Sequence, residues 1–139
     1  MSISKLTNFT LEGRLLAVTF VETYAVKEGV DCDVYSFPTD PSKDWAIVHV
    51  IKGQKTPLQK VLGGTRTIEG LLKGVGTLTV GNEDGETEVY YLEETDSNKE
   101  IQVTIGQTMQ WEAGKVCDLI FYEICEPPYQ QGRFENLPE

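Results

Sequence analysis

The chain is poor in the residues that most often carry chemistry. It has one histidine, His49, in 139 residues, with three cysteines and two methionines. A lone imidazole cannot build a poly-histidine metal centre. Cys32, Cys117 and Cys125 are an odd, low count, which without an export signal points to free thiols rather than a disulfide framework. Cys117 and Cys125 also fall in what reads as one strand, where a rise of ~3.3 Å per residue keeps them too far apart to bond. No run approaches the ~18 apolar residues of a membrane span. The opening MSISKLTNFT lacks a charged region leading into an apolar one. No secretory leader is therefore read, and a soluble, cytoplasmic protein is expected. Asn8-Phe9-Thr10 fits the glycosylation acceptor pattern, which without export is a chance match.

Positive charge is scarce too. Twelve basic residues face 22 acidic ones, for a net charge of −10. Nucleic acids and anionic membranes both need a basic footprint, so neither is expected as a partner. The acidic surplus reads first as a solvated surface.

What the chain does have is β-strand pattern and turn chemistry. Its 40% hydrophobic content supports one domain over residues 1–139, and its 13 glycines and six prolines are scattered along the chain. Strands are expected near 15–24, 32–37, 45–53, 56–62, 66–72, 76–80, 87–93, 100–106, 107–113 and 117–125. All are rich in Val, Ile, Thr, Tyr and Phe with period-2 alternation. The 15–24 run is apolar on both faces, as in a strand between two layers. Asp84-Gly85 marks a hairpin. The tail, residues 126–139, holds Pro127 and Pro128 and is expected to wrap the surface on Tyr129 and Phe134. About ten short strands indicate an all-β sandwich or barrel.

Two strings carry a family resemblance. GLLKGVGTLTVGNEDGET, residues 70–87, resembles the end of the first cupin motif. GQTMQWEAGKVC, residues 106–117, resembles the second, with Gly106 and Gly114 at its two glycine positions and Glu112 in place of its proline. The resemblance spans residues 45–128 and implies a cupin-like double-stranded β-helix, or jelly-roll barrel, often paired as a homodimer. Gly74, Gly76, Gly106 and Gly114 are expected to turn corners with positive φ. The family's metal ligands are absent. Its His-x-His falls on Lys60 and Leu62, or on Val61 and Gly63; its Glu falls on Thr67 and its last His on Cys117. No metal and no cofactor are expected. If the fold holds, Lys60, Thr67 and Cys117 stand where the family projects its ligands into one cavity, and they would suit an anionic or hydroxylated molecule.

Other residues add candidates. Glu123 shares strand parity with Cys117, Leu119 and Phe121, and Glu69 shares it with Thr67. On one register both carboxyls look into the barrel, where they can do acid–base work or hold an amine. Slipped by one residue they lie on the outer, wet face, the commoner place for carboxylates. Trp111 can wall a pocket or fill core. His49 is either a general base or, more commonly for a lone histidine, a hydrogen-bonded residue on a sheet face. Cys117 is either a nucleophile or, more commonly, a small hydrophobe. The expected function is binding of a small organic molecule in the barrel or a structural role as a homodimer. The alternative is a metal-independent isomerase or epimerase of a sugar-like substrate. An open cavity with a carboxylate and a tyrosine would favour the enzyme, an apolar pocket the binding module, and a filled barrel the structural role.

Overall fold

The computed structural model describes residues 5–11, 13–96, 99–129 and 132–138. Its strands form three antiparallel sheets. A hairpin joins β1 (Asn8–Leu11) to β2 (Arg14–Ala17). The six-stranded sheet runs β10 (Glu100–Val103), β7 (Arg66–Lys73), β12 (Leu119–Glu126), β5 (Asp44–Val50), β4 (Val30–Ser36) and β3 (Thr19–Lys27). The five-stranded sheet runs β13 (Phe134–Asn136), β6 (Gln59–Val61), β11 (Thr108–Ala113), β8 (Gly76–Gly81) and β9 (Thr87–Leu92). The two large sheets face each other as a jelly-roll barrel.

Period-2 alternation assigns each strand two faces, and in β4, β5, β7 and β12 both are covered. Inward, Val30, Val48, Val50, Leu71, Leu78, Val103, Leu119 and Phe121 join one core between the sheets. Outward, Tyr35, Trp45, Ile47, Ile68, Ile120, Tyr122 and Ile124 join a second core. The β1–β2 hairpin lies over that second core: Phe9 sits 4.2 Å from the Trp45 ring and 5.0 Å from Tyr122, and Leu16 is buried with them. A second apolar layer on the outer face explains why so many of these strands are apolar on both sides.

Several boundaries differ from the sequence reading. The 15–24 run divides at Val18 into β2 and β3, because Val18 leaves the ladder to donate its N–H to the Thr7 carbonyl at 3.0 Å. Within the tail, Phe134–Asn136 pairs with β6 as an edge strand. Gly74 and Gly106 do have positive φ, at 88° and 93°, but Gly76 and Gly114 do not. Gly76 lies within β8, where a Cβ would press on the Leu119 side chain and the Glu112 carbonyl; close approach is its requirement.

Candidate functional site

The barrel is filled at one end and open at the other. Along β12 the inward residues run Leu119, Phe121, Glu123, Cys125. Leu119, with Leu71, Leu78 and Val50, is fully buried and closes the first end. Phe121 stacks on Trp111 with ring centroids 4.5 Å apart and planes 12° from parallel, forming a floor. Beyond it lies a cavity of about 490 Å³. Its walls come from the inner faces of β3, β4, β5, β7, β11 and β12, with Thr56, Pro57 and Gln59 before and in β6. Thr56 is stitched to β11: its N–H donates to the Trp111 carbonyl, and its Oγ1 accepts the Trp111 N–H, both at 2.9 Å. The exposed lining residues are Glu22 and Tyr24 on β3 and Tyr129 in the tail, so the mouth lies between β3 and the tail.

Two carboxyls meet on one wall. Glu69 on β7 and Glu123 on β12 are cross-strand partners in register, and both line the cavity. Glu69 is 1% exposed. Trp111 Nε1 donates to its Oε1 at 2.8 Å. Its Oε2 is buried, receives no N–H, and faces the Glu123 carboxyl. Burial, and then the negative charge of Glu123 opposite, push the Glu69 carboxyl well above the usual carboxylate range. Burial also raises Glu123, against the opposing pull of Glu69 and the Arg133 guanidinium. The two cannot ionise independently at such proximity, so Glu69 holds the proton and Glu123 carries the charge. Asp44, also on the cavity wall, is raised chiefly by burial, although it accepts the Tyr129 N–H at 2.9 Å.

The tail completes the mouth. Tyr129 stacks on Phe134 at 5.9 Å. Arg133, 5% exposed, donates through Nη1 to the Pro127 carbonyl at 2.7 Å. Through Nη2 it donates to the Arg66 carbonyl at 2.8 Å and Thr67 Oγ1 at 3.1 Å. Gly64, at φ 94°, makes room for it: a Cβ there would overlap the guanidinium. This one side chain pins the tail to the ends of β7 and β12.

Of the six site residues proposed from sequence, the structure brings Glu69, Trp111 and Glu123 together in the cavity. Glu69 and Glu123 take the inward register rather than the outer, wet one, because the outer face of β7 and β12 belongs to the hairpin core. Thr67 is buried on the same face, beside Arg133 rather than on the cavity wall. Lys60 is half-buried on β6, between Thr108 and Glu135. Cys117 lies in the bend before β12, outside the expected strand and outside the cavity lining. Lys60, Thr67 and Cys117 therefore do not share a cavity, and the lining is acidic rather than ammonium-bearing. His49 shares the outward face of β5 with Trp45 and Ile47, and its Nε2 bonds Asp118 Oδ2 at 2.8 Å. That removes it as a base for chemistry inside the barrel. Sequence reading missed Asp44 and Arg133, which act at strand ends where alternation carries little signal.

A cupin-type metal centre does not fit these residues. On the resemblance its ligands would fall on Lys60 and Leu62, or Val61 and Gly63, with Thr67 and Cys117, and none of these lines the cavity. Among the described residues no three histidine, cysteine or carboxylate side chains converge to hold an ion.

The fold has known counterparts. Capsular polysaccharide assembling protein CapF from Staphylococcus aureus superposes with a TM-score of 0.69 at 12% identity, over 88% of this chain and 34% of its own. Lactobacillus farciminis oxalate decarboxylase superposes with a TM-score of 0.67 at 16% identity, over 86% of this chain and 33% of its own. Momordica charantia 7S globulin gives 0.64 at 16% identity, over 84% and 34%. All are cupin-fold proteins, and this chain has the cupin fold. It spans about a third of the length of each of them. No family model and no curated protein matches the sequence. Among the described residues, no helix is long and apolar enough to cross a membrane.

Proposed function

We propose that this protein binds a small organic molecule inside the barrel without a metal. The observation that carries the reading is the cavity itself. About 490 Å³ lies open above the packed floor of the inner core, within the range of small-molecule sites. Its wall is apolar with a few placed polar groups, the composition such sites use. A barrel with a purely structural role gains nothing from leaving that volume empty, since close packing is what stabilises a core. The neighbours are consistent with the reading: CapF has been solved with the inhibitor 3-isopropenyl-tropolone, and Lactobacillus farciminis oxalate decarboxylase as a formate complex.

The test is a fragment screen by ligand-observed NMR, run against the wild type and against Ala46→Phe. Ala46 lies on the cavity wall opposite Glu123 in register, so a phenyl group there occupies the site. Fragments that bind the wild type and lose binding in the variant support the proposal. Binding that persists in the variant, or a screen without hits, defeats it.

A second reading has one observation in its favour. Glu69, protonated, and Glu123, ionised, offer a donor and an acceptor of protons on one wall, with Tyr24 on another. That is the equipment of a metal-independent isomerase or epimerase of a sugar-like substrate. Deuterium incorporation into candidate sugars in heavy water, lost in Glu123→Gln, would establish it.

A further inference from the structure

The cavity has a sign. Glu22, Asp44, Glu69 and Glu123 line it, whereas no lysine, arginine or histidine does among the described residues. Arg133 lies behind the wall, and its two Nη atoms are committed to three main-chain carbonyls and Thr67. Carboxylates alone make no site, but here one of them is unfinished. Glu69 is 1% exposed, its Oε1 is held by Trp111, and its Oε2 is buried in the cavity wall, met by no N–H or hydroxyl of the rest of the fold and facing only the Glu123 carboxyl. Two carboxyls that share one proton keep a net negative charge, and a charge held away from water calls for a counter-charge that this lining does not supply. The partner must bring positive charge as well as donors, because the one proton of the pair turns from Glu69 toward Glu123 and leaves the two carboxyls with one net negative charge. It must also tolerate the aromatic surfaces of Trp111, Tyr24, Tyr129 and Phe134 that complete the lining.

We infer that the ligand is an organic cation: an ammonium or related protonated nitrogen seated between Glu69 and Glu123, carried on an apolar or aromatic body that fills the space toward Tyr24 and Tyr129. An ammonium has three donors and one positive charge, enough to bond both carboxyls and neutralise Glu123. The aromatic rim attracts a cation through its ring faces and packs the apolar body. An anionic ligand would meet four carboxyls and no cation in the lining. This inference rests on the cavity being a binding site and adds the class of ligand it takes.

Three isosteric probes separate the two claims by titration calorimetry at neutral pH: 2-phenylethylamine, 2-phenylethanol and phenylacetate. The amine is expected to bind at least tenfold more tightly than the alcohol, and the carboxylate not at all. In the Glu69→Gln, Glu123→Gln double variant the amine should fall to the level of the alcohol, whose retained binding shows that the barrel is intact. If the alcohol or the carboxylate binds the wild type as tightly as the amine, the cationic ligand is wrong while the binding cavity stands. If none of the three binds, both readings fall.

Discussion

Replacing Glu69 by glutamine should make the protein more stable at alkaline pH than it is now. The native Glu69 carboxyl keeps its proton well above the usual range, because burial and the Glu123 charge oppose ionisation. In the unfolded chain the same group ionises near ~4.3. Between those two values the folded state binds more protons than the unfolded state, so stability falls as pH rises. One proton of difference gives a slope of about 1.4 kcal/mol per pH unit. Glu123 and Asp44 are raised as well and act with the same sign. Asp40 and Asp118 are lowered, held by Lys43 and by the Lys52 N–H respectively, and their contributions are lost only in acid, below this window. Glutamine keeps an oxygen for Trp111, gives the unpaired side an N–H₂ facing Glu123, and does not titrate. In Glu69→Gln the slope should therefore flatten by up to one proton. Its advantage over the wild type should grow by about 1.4 kcal/mol for each unit through which native Glu69 stays protonated. Urea denaturation at pH 5, 6, 7 and 8 reads this directly, provided the m-values agree. Parallel pH profiles for the two proteins, or a variant that loses ground as pH rises, would refute the assignment of the proton to Glu69.

Other outcomes follow from the same geometry. Trp111→Phe keeps the stack on Phe121 but orphans Glu69 Oε1, and should cost about 1–3 kcal/mol in the same denaturation assay; a cost near zero would mean the indole bond is not formed. Elemental analysis of protein made in metal-replete medium should find no stoichiometric transition metal; about one iron, zinc, manganese or nickel per chain would contradict this. Toward a small neutral thiol reagent at neutral pH, Cys117 should react first, being half-exposed in a bend. Cys32 and Cys125 should wait for unfolding, since burial raises both thiols, Cys32 to about 12; fast labelling of Cys32 would show a cavity wetter than described. Light scattering should report a homodimer, because β3 offers a nine-residue edge paired on one side only among the described residues; a monomer at all concentrations would remove that expectation.

Much of this fold was legible before the structure. Strands β4, β5 and β7 to β12 follow runs of β-branched and aromatic residues closely, and Asp84-Gly85 marked the β8–β9 hairpin. The edge strands β1 and β13 escaped because each is short and owes its place to packing or pairing that local pattern does not encode. Strand parity put Glu69 and Glu123 among candidates, but parity fixes only which residues share a face. Here both faces are apolar, since the β1–β2 hairpin covers the outside, so hydrophobicity could not tell inside from outside. Lys60 and Cys117 came from glycine spacing. Glycines place the turns, as Gly74 and Gly106 do, but they do not aim a side chain lodged in a bend, and Cys117 lies in one. Arg133 and Asp44 act where strands end, through contacts that no periodicity encodes.

The central claim is that a small molecule enters the open end of the barrel and meets the Glu69–Glu123 pair. The indole Nε1–H of Trp111, bonded to Glu69 at 2.8 Å, is the nearest reporter of that event. Its NMR resonance should be followed as the protein is titrated with 2-phenylethylamine. The Lys52 amide, held by Asp118 at 2.9 Å beyond the filled end, serves as the reference. A saturable shift at Trp111 with Lys52 unmoved is the predicted result. A Trp111 signal that never moves, or one that moves only in step with Lys52, would contradict it.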